Sequence, residues 1–421
     1  MTLTDRKDKE NINVTLPSGW HYSKLKDVIN YAQPGFACGT RSSVGIIQLR
    51  MNNVDTRGNF VWNEYLRVPI EVTDLDKYRL KQGDILFNNT NSTELVGKSA
   101  LFQGNAEPVV YSNHFTRIRV NTKFVFPDYI VSWLIWQYRS GTFANLCNRW
   151  IGQSAIKNEI LFNLEIPVPP LAEQECMSRI LNKQMTAVEK ARAAAEARLE
   201  AAKALTAAYL REVFPQPGQE LPKGWKWVRL GDVFDVKQGV AMSPTRRQGI
   251  TPHPFLRTLN IQWGRVDLSN LDKMDFNNDE IKSLKIEEGD LLVCEGGDVG
   301  RTAIWRGELD DCLYQNHIHR LRQKDDSVIP DFYLYWLQAA ILVFHAYQGK
   351  NSTTTIPNLS GGQLKSFLMP LAPKNEQNQI VNALNERIPT VEQLNKTIQT
   401  ELETVNTLPA AILKLAFSGG L

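Results

Sequence analysis

The chain has 421 residues, of which 43% are hydrophobic and 22% are charged, and its formal net charge is +3 at pH 7. This composition is that of a globular protein and excludes a disordered or collagen-like chain. The length exceeds what one ordinary core supports, so two or more domains are expected. The mild positive charge is compatible with nucleic-acid binding but does not by itself indicate it.

The N-terminal segment, residues 1–14, is polar and charged, which argues against a secretory signal. The longest apolar stretch, residues 333–344, is shorter than the roughly 20 residues that a membrane-spanning helix needs. The five cysteines are odd in number and form no C-x-x-C pair. We therefore expect a reducing, cytoplasmic location and no membrane association.

The sequence contains two copies of one set of short motifs, in the same order and at nearly constant spacing. From Gly97 onward the offset between the copies is 203 residues, and before it the offset is 205 to 206. A loop near residues 88–96 is therefore about three residues longer than its partner at 294–299, and the pattern indicates a tandem duplication. The repeated segments are LPSGW (16–20) and LPKGW (221–225), KQGDILF (81–87) and EEGDLLV (287–293), SNHFTRIRV (112–120) and QNHIHRLRQ (315–323), PDYIVSWL (127–134) and PDFYLYWL (330–337), and IPVPPLAEQ (166–174) and MPLAPKNEQ (369–377).

Each copy begins with short β-type runs bounded by Gly, Asn and Pro, and one helix is expected after the proline at 127 or 330. This mixture predicts a compact α+β lobe in each copy. A long helix rich in Ala, Glu, Lys, Arg and Leu follows each lobe. The predicted domains are a first lobe at 1–170, a central long helix at 171–214, a second lobe at 215–370 and a C-terminal long helix at 371–421.

VGKSALF (96–102) resembles the end of a phosphate-binding loop, but Ser92 stands where that motif needs its first glycine. The segment recurs conservatively as VGRTAIW (299–305), which favours a structural loop that turns into a strand.

No cofactor site is expected, since the glycine-rich stretch 296–300 does not fit G-x-G-x-x-G. His317 and His319 alternate as on one strand face, but no cluster of further ligands accompanies them, so no metal is expected.

The two long helices carry apolar residues three and four apart, and the eleven stripe positions of the first remain apolar in the second. A helix of about 44 residues is roughly 66 Å long, more than the width of a lobe. We therefore predict an antiparallel coiled coil that relates the halves by an approximate twofold axis. The alternative is that each stripe packs on its own lobe. The predicted seam comprises Leu181, Val188, Ala195, Leu199, Ala202, Leu384, Val391, Ile398, Leu402 and Val405, and Pro389 and Pro409 are expected to bend the second helix.

Two related lobes on a rigid spacer suit a target with two features at a set distance, such as B-DNA, whose equivalent groove faces recur about every 34–36 Å. Arg pairs with guanine and Asn or Gln with adenine, while Lys and Arg also neutralise phosphates. Base reading is expected mainly in 38–66, 86–95, 238–266 and 294–298, where the copies diverge. The turns before the long helices, 149–159 and 349–360, are further candidates, because their small hydroxyl residues beside Lys suit phosphate contacts. Helix capping explains those hydroxyl residues equally well. The DNA-binding candidates are Arg41, Arg50, Asn52, Asn53, Asn88, Asn89, Asn91, Arg149, Lys157, Arg246, Arg247, Gln248, Asn260, Gln262, Arg265, Lys350, Asn351, Ser352 and Thr353.

The order of these motifs, repeated over essentially the whole chain, resembles the specificity subunits of type I restriction-modification systems. The resemblance rests on L-P-x-G-W, G-D-[IL]-L-[FV], V-G-[KR]-[ST]-A, the Glu-Gln pair that opens each long helix, and the C-terminal segment 408–421. It implies that each lobe is a target recognition domain for one part of a bipartite sequence in double-stranded DNA. It also implies that the helices set the gap and dock two methyltransferase subunits, and that motor-nuclease subunits join for cleavage.

No Asn-Pro-Pro-Tyr or Asp-Pro-Pro-Tyr motif of an amino-methyltransferase is present, and the nearest segment, residues 168–171, lacks both the polar and the aromatic residue. The chain is therefore expected to be a non-catalytic reader that directs the chemistry of other subunits, in particular adenine methylation. Three alternatives stay open from the sequence. These are a free-standing two-lobed DNA-binding protein, an enzyme with an unrecognised site, and a scaffold for other proteins.

Overall fold

The computed structural model describes residues 16–71, 73–247, 251–346 and 359–420. The chain divides into two compact units, Met1–Ala195 with Glu401–Leu421 and Glu196–Thr400. Each unit therefore contains one lobe together with a part of each long helix. Within the described ranges, no helix is both long enough and apolar enough to cross a bilayer.

The first lobe is built from short strands and short helices. Its strands are β1 (His21–Lys24), β2 (Ile29–Pro34), β3 (Ile46–Leu49), β4 (Leu66–Val68), β5 (Ile85–Asn88), β6 (Thr90–Asn91), β7 (Ser99–Leu101), β8 (Val109–Tyr111), β9 (Phe115–Val120), β10 (Asn148–Trp150), β11 (Gln153–Ala155) and β12 (Glu165–Val168). Its helices are α1 (Leu75–Tyr78), α2 (Pro127–Arg139), α3 (Thr142–Leu146) and α4 (Asn158–Phe162), with 3-10 turns at Leu25–Asp27 and Met51–Asn53, and the long helix α5 (Leu171–Val213) follows.

Four sheets organise the first lobe. An antiparallel sheet of order β2-β9-β5-β7 forms its centre, and a sheet of order β4-β3-β8 contains the parallel pair β3 and β8. A small sheet of order β10-β11-β6 and the pair β1-β12 complete it. Helix α2 begins at Pro127, one residue before the predicted start at Asp128, because proline needs no N–H partner in the first helical turn. The inner face of α2, including Tyr129 and Trp133, is buried against the central sheet.

The second lobe repeats this plan. Its strands are β13 (Lys226–Arg229), β14 (Phe234–Gln238), β15 (Pro252–Leu256), β16 (Ile261–Gln262), β17 (Arg265–Val266), β18 (Asp272–Asp275), β19 (Leu291–Cys294), β20 (Thr302–Ile304), β21 (Leu313–Tyr314), β22 (Ile318–Gln323) and β23 (Leu368–Leu371). Its helices are α6 (Leu230–Val233), α7 (Pro244–Arg247), α8 (Asn278–Leu284), α9 (Pro330–Gln338) and α10 (Gly361–Ser366), with a 3-10 turn at Thr258–Asn260 and a π-helix at Ala339–Val343, and α11 (Lys374–Phe417) closes the chain.

The sheets of the second lobe have the orders β14-β22-β19-β20, β18-β15-β21 and β13-β23, which match those of the first lobe strand for strand. A short hairpin, β16-β17, is added. The α+β fold class and the duplication are therefore confirmed at the level of hydrogen-bonded strand order.

The repeated Gly-Asp motif builds the same turn in both lobes. Gly83 and Gly289 adopt φ of +88° and +90°, a region open chiefly to glycine. The buried Asp84 then accepts two hydrogen bonds from Arg119, at 2.6 and 2.8 Å. Arg322 makes the same bidentate pair with the carboxylate after Gly289, at 2.8 and 2.6 Å. A buried carboxylate with a two-point partner explains why Gly-Asp and Arg recur together.

The Glu-Gln pair that opens each long helix fastens that helix to its lobe. Gln174 is fully buried; its Oε1 accepts from the Phe126 N–H at 3.0 Å, and its Nε2 donates to the carbonyls of Phe124 and Pro169. The adjoining Glu173 accepts a hydrogen bond from the indole N–H of the Trp in L-P-S-G-W at 2.9 Å.

Gln377 repeats the arrangement in the second unit. Its Oε1 accepts from the Ile329 N–H, and its Nε2 donates to the carbonyls of Ser327 and Ala372. The Trp of L-P-K-G-W donates to the carboxylate of Glu376 at 2.7 Å. We name these two arrangements the lobe–helix clamps.

Within each unit, the beginning of one long helix packs against the end of the other. In the first unit, Met177 and Leu181 near the beginning of α5 share a buried cluster with Leu413, Ala416 and Phe417 at the end of α11. In the second unit, the end of α5, with Leu210 and Phe214, is buried together with the beginning of α11. The predicted antiparallel pairing is therefore confirmed.

The buried seam positions are Leu181, Val188, Ala195, Ala202, Leu384, Val391 and Ile398, and the half-buried ones are Leu199, Leu402 and Val405. Helix α11 is one helix from Lys374 to Phe417 and includes both Pro389 and Pro409. Neither proline ends it, since each removes one backbone donor from a helix of 44 residues.

Leu384→Asp is expected to destabilise the second unit by about 3 kcal/mol or more, because it buries a carboxylate in an apolar cluster. Leu394→Asp, on the same helix at a side chain 39% exposed, is the control and is expected to change stability by less than about 1 kcal/mol. Urea unfolding followed by circular dichroism measures both. Equal effects would contradict burial of the seam.

Gln377→Ala is expected to destabilise the protein by about 2–4 kcal/mol, because one amide N–H and two carbonyls lose their partners inside the structure. Gln379→Ala, an exposed position two residues further along α11, is expected to stay within about 0.5 kcal/mol of the parent. The same urea titration compares them. A Gln377→Ala protein as stable as the control would show that the clamp does not hold the helix.

Candidate nucleic-acid interface

The first lobe carries a Leu-Arg-x-x-Asn turn at residues 49–53, directly after the middle strand of its three-stranded sheet. Asn53 is buried, and its Oδ1 accepts a hydrogen bond from the Arg50 N–H at 2.9 Å. Its Nδ2 donates to the carbonyls of Val61 and Glu64. All parts of this amide are thus used to close the loop that follows the strand.

The second lobe has the same turn at residues 256–260. Asn260 is buried, accepts from the Arg257 N–H at 2.8 Å, and donates to the carbonyls of Asp267 and Asn270. The prediction that Asn53 and Asn260 contact DNA is therefore revised, because a side chain engaged inside the lobe does not reach a base edge.

Arg50 and Asn52 lie on the accessible side of the first turn, half-buried and exposed respectively. Burial, and then the charge of Arg50, lower the pKa of His114, which favours the neutral imidazole. A neutral imidazole both donates and accepts hydrogen bonds. Arg50 and Asn52 thus place a cation and an amide that suit a base edge on one turn.

The V-G-[KR]-[ST]-A segment anchors this turn through hydrogen bonds to its backbone carbonyls. The Lys98 ammonium is buried and donates to the carbonyls of Met51, at 2.9 Å, and Val54. Arg301 takes its place in the second lobe and donates to the carbonyl of Thr258 at 2.8 Å. Burial lowers the pKa of Lys98. The interpretation of VGKSALF as a structural segment is confirmed, because its Lys donates hydrogen bonds to backbone carbonyls.

The asparagines after β5 form a hydrogen-bonded network. Asn88 is fully buried; it donates to the carbonyls of Thr90 and His114 and accepts from Asn91 Nδ2 at 2.7 Å. The prediction that Asn88 contacts DNA is revised for the same reason as before. The half-buried Asn89 donates to the Thr116 hydroxyl at 3.0 Å.

Two predicted residues from distant parts of the sequence meet in the β10-β11-β6 sheet. Ser154 of β11 pairs with Arg149 on one side and with Asn91 on the other. Arg149 is exposed and donates to the carbonyl of Ala144 at 3.0 Å, and Lys157 is exposed just beyond the sheet. These side chains offer positive charge at one edge of the first lobe.

In the second lobe, two predicted arginines are bound to carboxylates. Arg246 makes a bidentate pair with Glu280, at 2.9 and 2.8 Å, which raises the pKa of the arginine and lowers that of the glutamate. The exposed Arg247 pairs with Asp272. Both pairs reduce the positive charge that these arginines present to a phosphate.

Gln262 and Arg265 are directly opposite each other in the β16-β17 hairpin that follows the Leu-Arg-x-x-Asn turn. Gln262 is half-buried and donates to the carbonyl of Leu259 at 2.9 Å, whereas Arg265 is exposed. The structure thus joins these two candidates on one short ribbon.

The exposed Arg41 of the first lobe donates to the carbonyls of Cys38 and Thr40 in its own loop. The remaining candidates, Gln248, Lys350, Asn351, Ser352 and Thr353, lie outside the described residues.

His319 is buried, and its Nε2 lies 3.1 Å from the Leu359 carbonyl and 3.8 Å from Glu295 Oε2. His317, by contrast, is exposed. In the part of the chain that the structure describes, no group of three or more Cys, His, Asp or Glu residues is arranged to hold a metal ion.

Sequence reasoning missed two features of this surface. Arg257, the counterpart of Arg50, was hidden because the two turns are offset by 207 residues, outside the offsets that the motifs established. The tip of the β10–β11 hairpin lies within the candidate segment 149–159, but its exposed Trp150 and Ile151 were not singled out. A glycine directly after two bulky apolar residues, in R-W-I-G-Q, was the available signal for it.

A family model described as type I restriction modification DNA specificity domain matches residues 17–196 and 222–404, one match for each copy of the repeat. The putative type I restriction enzyme MjaX specificity subunit of Methanocaldococcus jannaschii is 24% identical, over 96% of this chain and 94% of the relative. The type I restriction enzyme EcoKI specificity subunit of Escherichia coli is 22% identical, over 96% of this chain and 90% of the relative.

Two solved structures share the fold. One chain, from work described as the structural basis underlying complex assembly and conformational transition of the type I R-M system, aligns with a TM-score of 0.74 and 23% identity. The alignment covers 96% of this chain and 99% of that one. The HsdS subunit from Thermoanaerobacter tengcongensis aligns with a TM-score of 0.62 and 24% identity, over 96% and 98% of the two chains.

Lys98→Met is expected to destabilise the protein by about 1–3 kcal/mol, because two buried carbonyls lose their donor. Lys123→Met, at an exposed position, is the control and should be nearly neutral. The unfolded chain holds the proton of this lysine more tightly than the buried side chain does. The stability difference between the parent and Lys98→Met should therefore widen as the pH rises from neutral toward 10.

Urea unfolding at several pH values checks both the size and the direction of this effect. A nucleotide-binding role for the lysine predicts the opposite pattern, in which the parent binds ATP, Lys98→Met does not, and their stabilities are equal.

Proposed function

Because this chain belongs to the family of type I restriction-modification DNA specificity domains, we propose that its two lobes each read one half of a bipartite double-stranded DNA target. The family model matches twice, once over each lobe and part of the long helix that follows it. Two readers within one chain suit a target with two unlike halves.

The observation that carries this proposal is that the lobes share a frame but differ in their side chains at equivalent positions. The backbone N–H groups of Asn89 and Glu295 donate to the carbonyls of His114 and His317, at 3.0 and 2.9 Å. These residues therefore hold the same place, as an amide in one lobe and a carboxylate in the other. Asn52 likewise corresponds to Leu259. Equal frames with unlike side chains support recognition of two different half-sites.

The accessible candidates supply the chemistry for base reading. Arg bonds two acceptors of guanine, and Asn or Gln bonds the donor and the acceptor of adenine. Exposed Lys and Arg neutralise phosphates, so binding should weaken steeply as the salt concentration rises. The residues that we assign to the interface are Arg41, Arg50, Asn52, Asn89, Asn91, Arg149 and Lys157 in the first lobe, and Arg246, Arg247, Gln262 and Arg265 in the second.

The two long helices act as a spacer in this proposal. Helix α5 has 43 residues and α11 has 44, and each is about 65 Å long at 1.5 Å per residue. Their exposed faces and the adjoining lobe surfaces dock two methyltransferase subunits, and motor-nuclease subunits join the same complex. The chain itself performs no catalysis and works in the cytoplasm with these partners.

Methylation profiling tests the function directly. The chain is expressed with its partner methyltransferase subunits in cells that lack other adenine methylation, and the genome is read by long-read sequencing. We expect methylated adenines within one motif made of two short defined halves and a constant undefined gap. A single continuous motif, or methylation that does not depend on this chain, would refute the proposal.

Shortening both helices tests the spacer. Removal of residues 192–198 and 396–402 deletes two turns from each helix, about 10 Å, which corresponds to about three base pairs. We expect a gap shorter by up to about three base pairs, with both half-sites unchanged. Methylation profiling of the shortened protein measures the gap. An unchanged gap would show that the helices do not set the distance.

A further inference from the structure

The β10–β11 hairpin of the first lobe, residues 148–155, ends in an apolar tip. Trp150 is 61% exposed and Ile151 is fully exposed, at 106%. Gly152 has φ of +77°, which allows a turn of two residues, and a methyl group built on it would meet no atom within 4 Å. The tip therefore projects freely. Such turns usually carry Gly, Asn, Asp, Ser or Pro, and large apolar side chains left in water are unfavourable.

The loop that differs in length between the lobes supports this hairpin. Asn88 and Gly97 close a loop of eight residues, 89–96, whereas Cys294 and Gly300 close a loop of five, 295–299. In the longer loop, residues 90 and 91 form β6, the third strand beside the hairpin. The three residues by which the first lobe exceeds the second therefore belong to the segment that carries the hairpin.

Side-chain bonds make this support rigid. The Thr93 hydroxyl lies 2.7 Å from that of the buried Ser154, and Asn91 donates to Asn88 Oδ1 at 2.7 Å. At the end of the hairpin, the Ile156 N–H donates to the Asn89 carbonyl at 2.9 Å. A tip on a rigid base loses little conformational entropy when a partner covers it.

The charge of the hairpin suits a polyanion. Arg149 is the one charged residue among residues 148–155, and it is exposed directly before the tip. Lys157, two residues beyond the hairpin, is exposed as well. The major groove of B-DNA admits a two-stranded β-ribbon, and its floor offers apolar contacts such as the thymine methyl group. Phosphates on the groove walls would then meet the flanking cations.

Resting on the proposed function, we infer that this hairpin enters the major groove at the half-site of the first lobe and presses Trp150 and Ile151 against the base edges. The tip reads apolar features of the bases, and Arg149 holds the hairpin in register through a phosphate. Lys157 adds a second phosphate contact. The first lobe thus has a groove-entering hairpin that is supported by its own longer loop.

The test uses the complex of the full chain with its methyltransferase subunits, and a duplex that carries the motif found by methylation profiling. The Trp150→Ala/Ile151→Ser double variant is compared with Phe124→Ala/Ile70→Ser, which removes an aromatic residue and an isoleucine at positions 55% and 57% exposed in the same lobe. Urea unfolding tests whether both variants fold like the parent, and copurification tests whether they assemble like it.

We expect the tip variant to bind the duplex at least about tenfold more weakly, and the control variant to bind like the parent. Competition with duplexes mutated in one half-site should show that the tip variant has lost discrimination in the half-site of the first lobe and kept it in the other. A photo-crosslinking amino acid at position 151 should label bases of that same half-site.

Three results would overturn the inference. In the first, the tip variant binds and discriminates like the control. In the second, the crosslinker at position 151 labels a methyltransferase subunit instead of DNA. In the third, the tip variant fails to copurify with that subunit although it is folded. If the parent complex shows no preference for the profiled motif, the proposed function itself fails, and this inference fails with it.

Discussion

The structure depends on one buried amide in each copy, Gln174 and Gln377, which makes three hydrogen bonds to the backbone where a lobe meets its long helix. Because all three bonds are made to main-chain groups, the clamp fixes the direction in which the helix leaves the lobe. The neighbouring Trp–Glu bond adds a second point of attachment. A lobe and the adjoining end of its long helix are thereby positioned as one piece within each unit.

The duplicated sequence predicted most of the fold because repeated residues are those with a fixed structural task. Three repeated features show this. Gly83 and Asp84 form a turn, Lys98 donates hydrogen bonds to backbone carbonyls, and Pro127 begins a helix. The apolar stripes likewise predicted that the long helices pair, since a 3.6-residue period identifies the buried face of a helix. The antiparallel direction followed from the repeated order of lobe and helix with short connections. Helix α11 continues through both Pro389 and Pro409, and the bend expected at each of them stays a prediction.

The interface was less predictable, because residue type alone does not tell whether a polar side chain serves the lobe or a ligand. Asn53, Asn88 and Asn260 look like adenine readers in sequence, yet each is buried and hydrogen-bonded to the backbone. Asn91 and Arg149, which flank Ser154 in the β10-β11-β6 sheet, are 58 residues apart in sequence. Their proximity therefore depends on strand pairing that no local pattern reveals. Apolar residues at a turn, such as Ile151, fall outside any search for polar contacts.

The side chains that anchor the loop after β3 take carbonyl oxygens as their acceptors in that loop: Lys98 binds those of Met51 and Val54, and Asn53 binds those of Val61 and Glu64. A carbonyl oxygen is present whatever amino acid bears it. Mutation can therefore replace the outward-facing residues of the loop without loosening its anchorage. Such a lobe is free to drift from one recognition sequence to another over evolutionary time while its stability stays constant.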